Sequence, residues 1–147
     1  MLASEIFDVG WLIGLGVWTL VVWTTRIDNV LSQDDLTTAG RAARLALALS
    51  FTVVGVALLA VAWRARGRPV RWVEALVIGV GCWWTIGVWV LRGVQIVLSD
   101  HDAAFVLVHA VLGIVSIALA AVVLRGTTMP LRHGTTGNRR AVDDVTT

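Results

Sequence analysis

The chain has 147 residues, 57% of them hydrophobic and 15% charged, with a mean hydropathy of +0.81, which lies outside the range of soluble globular domains. A net charge of +2 and a pI of about 9.9 would invite a nucleic-acid partner, but all 12 basic residues are Arg and most flank long apolar runs, so no groove-sized basic face forms. A single cysteine, Cys82, excludes an internal disulfide framework and any Cys-x-x-Cys metal or redox motif.

The opening stretch MLASEIFD carries Glu5 and Asp8 where a secretory signal would carry positive charge, so the first apolar segment is expected to remain in the mature protein. Four apolar runs follow, at about 9–25, 45–63, 75–91 and 104–124. A helix of about 20 mostly apolar residues crosses a bilayer core. Hydrocarbon offers free backbone groups no partner, so each run is predicted to be a transmembrane helix despite its Val content. A soluble bundle would need a polar face on each helix, and none of the runs has one. The predicted fold is therefore all-α: an integral membrane four-helix bundle within 1–131. A polar tail over 132–147 is expected to be disordered and cytoplasmic, with its Arg near anionic lipid.

Arginine placement sets the expected orientation. Arg64, Arg66, Arg68 and Arg71 fall between the second and third runs, and Arg125, Arg132, Arg139 and Arg140 follow the fourth. The positive-inside rule puts that side in the cytoplasm, with both termini. The other connections carry Asp28, Asp34, Asp35, Asp100 and Asp102 and fewer Arg. Gly67 and Pro69 predict a tight hairpin. The exclusive use of Arg with much Val and Ala fits a GC-rich prokaryotic coding bias, hence a prokaryotic plasma (inner) membrane.

The stretch VWTTRIDNVLSQDD (Val22–Asp35) returns as VWVLRGVQIVLSD (Val88–Asp100). At an offset of 66, Trp18, Thr19, Val22, Trp23, Arg26 and Asp34 fall on Trp84, Thr85, Val88, Trp89, Arg92 and Asp100, while Asp8 meets Glu74 and Asn29 meets Gln95. Upstream, IGLGVW (Ile13–Trp18) matches IGVGCW (Ile78–Trp83) at an offset of 65. This reads as two transmembrane hairpins related as a parallel repeat about an axis along the membrane normal. Interfacial Trp and flanking Arg, common to all membrane helices, are the plainer explanation of the same pattern.

Arg26 and Arg92 each follow a Trp by three positions, a spacing that lets a guanidinium lie on an indole face while its tip reaches the headgroups. Trp11, Trp63 and Trp72 fit the opposite interface, whereas Trp18, Trp83 and Trp84 fall near mid-helix and are expected to face protein. Gly10, Gly14, Gly16, Gly79, Gly81 and Gly87 mark expected helix contacts, as do a His109, Gly113, Ser116, Ala120 stripe and a weaker Ala46, Ser50, Ala57 stripe.

His109, an ionisable residue inside a span, is the leading functional candidate. Either it is a neutral imidazole bonded to Asp102, Ser50 or a backbone carbonyl, or it lines a shallow outer-leaflet polar pocket with Arg26, Arg92, Trp23 and Trp89. Such a pocket would suit a lipid headgroup, a quinone ring or a proton. Haem would need a second axial ligand, and His101 and His133 lie outside the spans. The acidic Ser99–Asp102 stretch reads as a solvated loop and Cys82 as a packing residue; no metal, cofactor or catalytic residue is expected. Glu74 is expected to pair with Arg71, three residues away. No residue pattern is specific enough to name a family. The expected function is a non-enzymatic accessory or scaffolding subunit packing on other membrane proteins or on a second copy. The alternatives are a small quinone or haem anchor using His109, or a small dimeric transporter.

Overall fold

A computed structural model describes residues 2–33, 37–99 and 102–128, with side chains from Val9 to Thr127. Asp34, Asp35, Asp100, His101, His133, the Asp8 side chain and the polar tail lie outside this set. The described chain forms helices α1 (Leu2–Leu31), α2 (Thr38–Arg64), α3 (Trp72–Val97) and α4 (Ala103–Thr128). Each is long and apolar enough to cross a membrane, which makes this an all-α multi-pass membrane protein. All four extend beyond the predicted runs. A hydropathy window stops at the first charged residues, but the backbone ladder continues into the interface, so Arg26, Asp28 and Asn29 belong to α1.

Side-chain caps finish the helices where the apolar runs stop. Thr37 Oγ1 accepts from Gly40 N (3.2 Å), Asp102 Oδ1 from Phe105 N (2.8 Å) and Glu74 Oε2 from Arg71 N (2.9 Å). Between α2 and α3, Gly67 takes φ = +73°, a left-handed conformation that only glycine adopts without strain. That turn brings Arg68 back over the first turn of α3, where its guanidinium binds Glu74 through both carboxylate oxygens (3.0 Å for Nη1–Oε2). The partner of Glu74 is thus Arg68. Arg71, the expected partner, sits at the N-cap and contributes its backbone N–H.

The helices form a ring in chain order: α1 touches α2 and α4, and α3 touches α2 and α4. Contact is most extensive within the hairpins, α1–α2 and α3–α4, then along α1–α4, and least along α2–α3. The core has two layers. Toward the Gly67 turn it is aliphatic, with Leu12, Leu15, Leu58, Ile78, Cys82, Ala120 and Val123; toward the other connections it is aromatic, with Trp23, Phe51 and Trp89. Cys82 is fully buried in the aliphatic layer, as a small apolar packing group.

Burial repeats with a fixed register. Leu12, Leu15, Gly16, Thr19, Trp23 and Val30 are buried in α1, and so are the residues 66 positions on in α3: Ile78, Gly81, Cys82, Thr85, Trp89 and Ile96. Val22 is the exception, its counterpart Val88 being half-buried. In α2 and α4 the spacing is 65: Ala48, Phe51, Gly55 and Leu58 match Gly113, Ser116, Ala120 and Val123.

Of the glycines expected at helix contacts, Gly16 sets the α1–α2 approach, opposite Gly55. A Cβ on Gly16 would stand 2.8 Å from the Leu59 side chain and 3.3 Å from the Gly55 carbonyl oxygen; a Cβ on Gly55 would stand 2.9 Å from Leu20 and 3.3 Å from the Gly16 carbonyl oxygen. Gly81 packs against Val54 and Gly113 against Trp89 in the same way, whereas Gly10, Gly14, Gly79 and Gly87 face open space. The His109, Gly113, Ser116, Ala120 stripe is buried as expected. In α2 the buried stripe runs through Ala48, Phe51, Gly55 and Leu58, and Ala46 is exposed. Of the expected Ala46, Ser50, Ala57 stripe, Ser50 and Ala57 are half-buried, beside the buried face and not at its centre. Gly16→Val and Gly55→Val should each lower stability by about 1–3 kcal/mol through overpacking, measured as detergent unfolding midpoints, with Gly14→Val and Gly79→Val near wild type. Equal losses at all four positions would contradict this packing.

Candidate functional site

Helix α1 runs past its apolar stretch far enough to carry Arg26 beside α4. There the guanidinium donates from Nη2 to Nε2 of His109. Arg has only donors, so Nε2 must be the unprotonated nitrogen. The ring proton then sits on Nδ1, which donates to the Phe105 carbonyl at 2.9 Å. Both ring nitrogens are used and the imidazole is neutral, with Phe105 packed at 3.9 Å between ring centroids. His109 is only 8% exposed, and Arg26 is half-buried. Of the partners the sequence allows, the ring takes a backbone carbonyl; Asp102 instead caps α4.

The floor of this cluster is aromatic. Trp23 stacks on Phe51 at 4.0 Å and 6°, with Trp89 at 6.4 Å from Trp23. Both tryptophans are turned into the bundle, so the expected interfacial anchoring does not hold for them. The Trp23 face is taken by Phe51, which leaves Arg26 to seek His109. The guanidinium-on-indole contact occurs at a third Trp-x-x-Arg instance, where Arg66 lies 4.3 Å over Trp63. Trp11, Trp63 and Trp72 are exposed as expected of interfacial residues.

Of the five residues proposed for one pocket, the structure brings together Arg26, His109, Trp23 and Trp89. Arg92 is exposed, and its bond is to Gln95 Oε1 (3.4 Å). Sequence reasoning missed Arg41 and Arg44 of α2, which bind Gln33 through its backbone oxygen (2.5 Å) and its Oε1 (3.1 Å). An Arg pair at a helix start was the available signal. Haem ligation by His109 would need the Nε2 lone pair that Arg26 occupies, so the ring as placed is a poor axial ligand.

The matched registers expose a contrast between the two inter-hairpin seams. Along α1–α4, Trp18 Nε1 donates to Ser116 Oγ (3.0 Å) and Arg26 to His109. At the corresponding positions along α2–α3, Trp84 faces Phe51 (6.1 Å between rings) in place of a hydroxyl, and Arg44 stands where α4 has His109. Side-chain hydrogen bonds thus cross the α1–α4 seam, none crosses α2–α3 among the described residues, and α2–α3 is the thinner contact. Beside that seam a shallow apolar groove on α3 is lined by Ala75, Leu76, Gly79, Val80, Trp83 and Trp84. Trp83 is 66% exposed and Trp84 43%. The expectation that mid-helix tryptophans face protein therefore holds for Trp18 and fails within this chain for Trp83.

No family model, curated protein or solved structure matches the chain. A double-mutant cycle tests the pair at the centre of the site. His109→Leu should cost more than Arg26→Leu/His109→Leu relative to Arg26→Leu, with a coupling of about 1–3 kcal/mol, because it strands a half-buried guanidinium. Additive unfolding free energies would remove the pair from the account.

Proposed function

We propose that this multi-pass membrane protein is a non-enzymatic accessory or scaffolding subunit, and that the α3 face along the α2–α3 seam receives a transmembrane helix of another membrane protein. The observation that carries this is the pair of exposed tryptophans at the middle of α3. Neither Trp83 nor Trp84 donates its indole N–H to a described residue. In hydrocarbon such a donor costs about 1–3 kcal/mol, and lipid tails have no acceptor to give. A neighbouring helix bearing a hydroxyl or a free carbonyl does, and Gly79 and Gly87, open to the surroundings, leave room for its backbone.

The orientation is read as Gly67 turn inward, in a prokaryotic plasma membrane with both termini cytoplasmic. It is supported by Arg64, Arg66, Arg68, Arg71 and Arg125 at that end, followed in sequence by Arg132, Arg139 and Arg140, against Arg26, Arg41, Arg44 and Arg92 at the other. The two hairpins are read as parallel copies of one ancestral hairpin. The recurrence of Thr19, Trp23 and Arg26 as Thr85, Trp89 and Arg92, within matched burial registers, supports this.

A photo-crosslinking residue at position 80, on the groove, should give a protein adduct in native membranes, while one at position 53, on the exposed face of α2, gives lipid adducts. Lipid adducts alone at both positions would end the accessory reading. For the orientation, a reporter active only outside the cytoplasm should be active when fused at Gly40 and silent when fused at Gly126; the reverse pattern inverts the protein.

A further inference from the structure

One hydrogen bond between helices depends on where a single proton sits. Arg26 of α1 donates to Nε2 of His109 on α4, and Nδ1 of the same ring donates to the Phe105 carbonyl at 2.9 Å. Guanidinium nitrogens only donate, so the first bond needs the lone pair on Nε2. A proton added to the ring goes to that nitrogen, because Nδ1 already carries one. Uptake of one proton therefore removes the acceptor and leaves two cations side by side where a bond had been. The other side-chain hydrogen bond across α1–α4 among the described residues is Trp18 to Ser116, and neither of those groups titrates. It lies eight residues further along α1, about 12 Å away, so it holds the middle of the seam when the Arg26 bond is gone.

His109 is buried, which leaves water little room to replace the lost bond. Helices α1 and α3 pack against α4, and α2 does not touch it. The described charged groups on the packed helices at this end are Arg26 and Asp28 of α1 and Arg92 of α3; α4 itself carries Asp102, and α2 carries Arg41 and Arg44. Asp28 and Asp102 are exposed, and Asp102 accepts from Phe105 N. Arg92 binds Gln95, and Arg41 and Arg44 bind Gln33. Whatever charge the connections add, the Arg26 bond is the one that protonation breaks, because its loss follows from the lone pair and not from the balance of charges.

We infer that the Arg26–His109 contact is a pH-sensitive latch on the α1–α4 seam, closed while His109 is neutral and released by one proton at the end opposite the Gly67 turn. The closed form binds one proton fewer at this ring than a chain whose imidazole is protonated in water. Its extra stability is therefore present where the ring is neutral in both states and is lost as pH falls. The latch is independent of the α3 groove and of which way the protein faces.

The test uses the full-length protein in a neutral detergent at pH 8 and pH 5, which bracket the titration of a histidine in water, at about 6.5. Spin labels on Thr25→Cys in α1 and Leu107→Cys in α4, both exposed positions, report the width of the seam, while Cys82 is fully buried. The distance should lengthen at pH 5, and the unlabelled protein should lose about 5 °C in unfolding temperature. Two variants remove the effect by different routes. In His109→Gln an amide oxygen accepts from Arg26 and does not titrate; in Arg26→Gln the amide can donate to the neutral ring or accept from the protonated one. Each should keep the pH 8 distance at pH 5. His101 and His133 stay in both variants, so a change that they cause persists there. A wild-type distance that holds at pH 5, or a lengthening that persists in whichever variant folds, overturns the latch.

Discussion

A hydrocarbon solvent returns nothing to a polar group, so every donor within the bilayer has to be answered by the protein. Seven described hydroxyls in or beside the spans are satisfied within their own helix. Thr24, Thr25, Ser50, Thr52, Thr85, Ser116 and Thr127 all turn their hydroxyls back to carbonyls three or four residues earlier on their own helices. Three longer side chains cannot be satisfied that way. Trp18 finds Ser116, Arg26 finds His109, and Arg68 finds Glu74. The first two join α1 to α4, and the third ties the α2–α3 turn to the first turn of α3.

Two of the three lie on one seam. The α1–α4 seam carries both the Trp18–Ser116 and the Arg26–His109 contacts, while its counterpart, α2–α3, offers Phe51 to Trp84 and Arg44 to Arg92 at the matching positions. With a phenyl ring in place of the hydroxyl and a guanidinium in place of the imidazole, no side-chain hydrogen bond crosses this second seam among the described residues. The apolar groove of α3 lies beside this second seam, with Trp83 and Trp84 on its wall.

The packing follows the same economy. Where Gly16 and Gly55 oppose each other the backbones of α1 and α2 come into direct contact, which is how helices gain dispersion energy when lipid removes the hydrophobic drive between them. In the aromatic layer large rings do the filling, and Gly113 leaves the space that Trp89 enters. Gly10 and Gly14, just as small, meet nothing within 4 Å. A small-residue motif reports that a backbone can be approached, and the partner helix decides whether it is.

The four spans, their number and the paired Trp-Arg segments were legible in the amino-acid sequence, because run length and the lack of any polar face depend on residues close together along the chain. The buried stripe of α4 was legible too, being carried by one helix. Everything that required knowing which faces meet was decided by the tertiary structure: Trp23 and Trp89 turned inward, Arg26 on His109 in place of an indole, Arg68 in place of Arg71 on Glu74, and Arg41 and Arg44 at the Arg26 end. The reason is physical. Periodicity fixes the angle of a side chain about its own helix, but the partner of a polar group is set by the rotation and depth of a second helix, and those depend on close packing at Gly16, Gly55 and Gly113, far away in sequence from the donors they position.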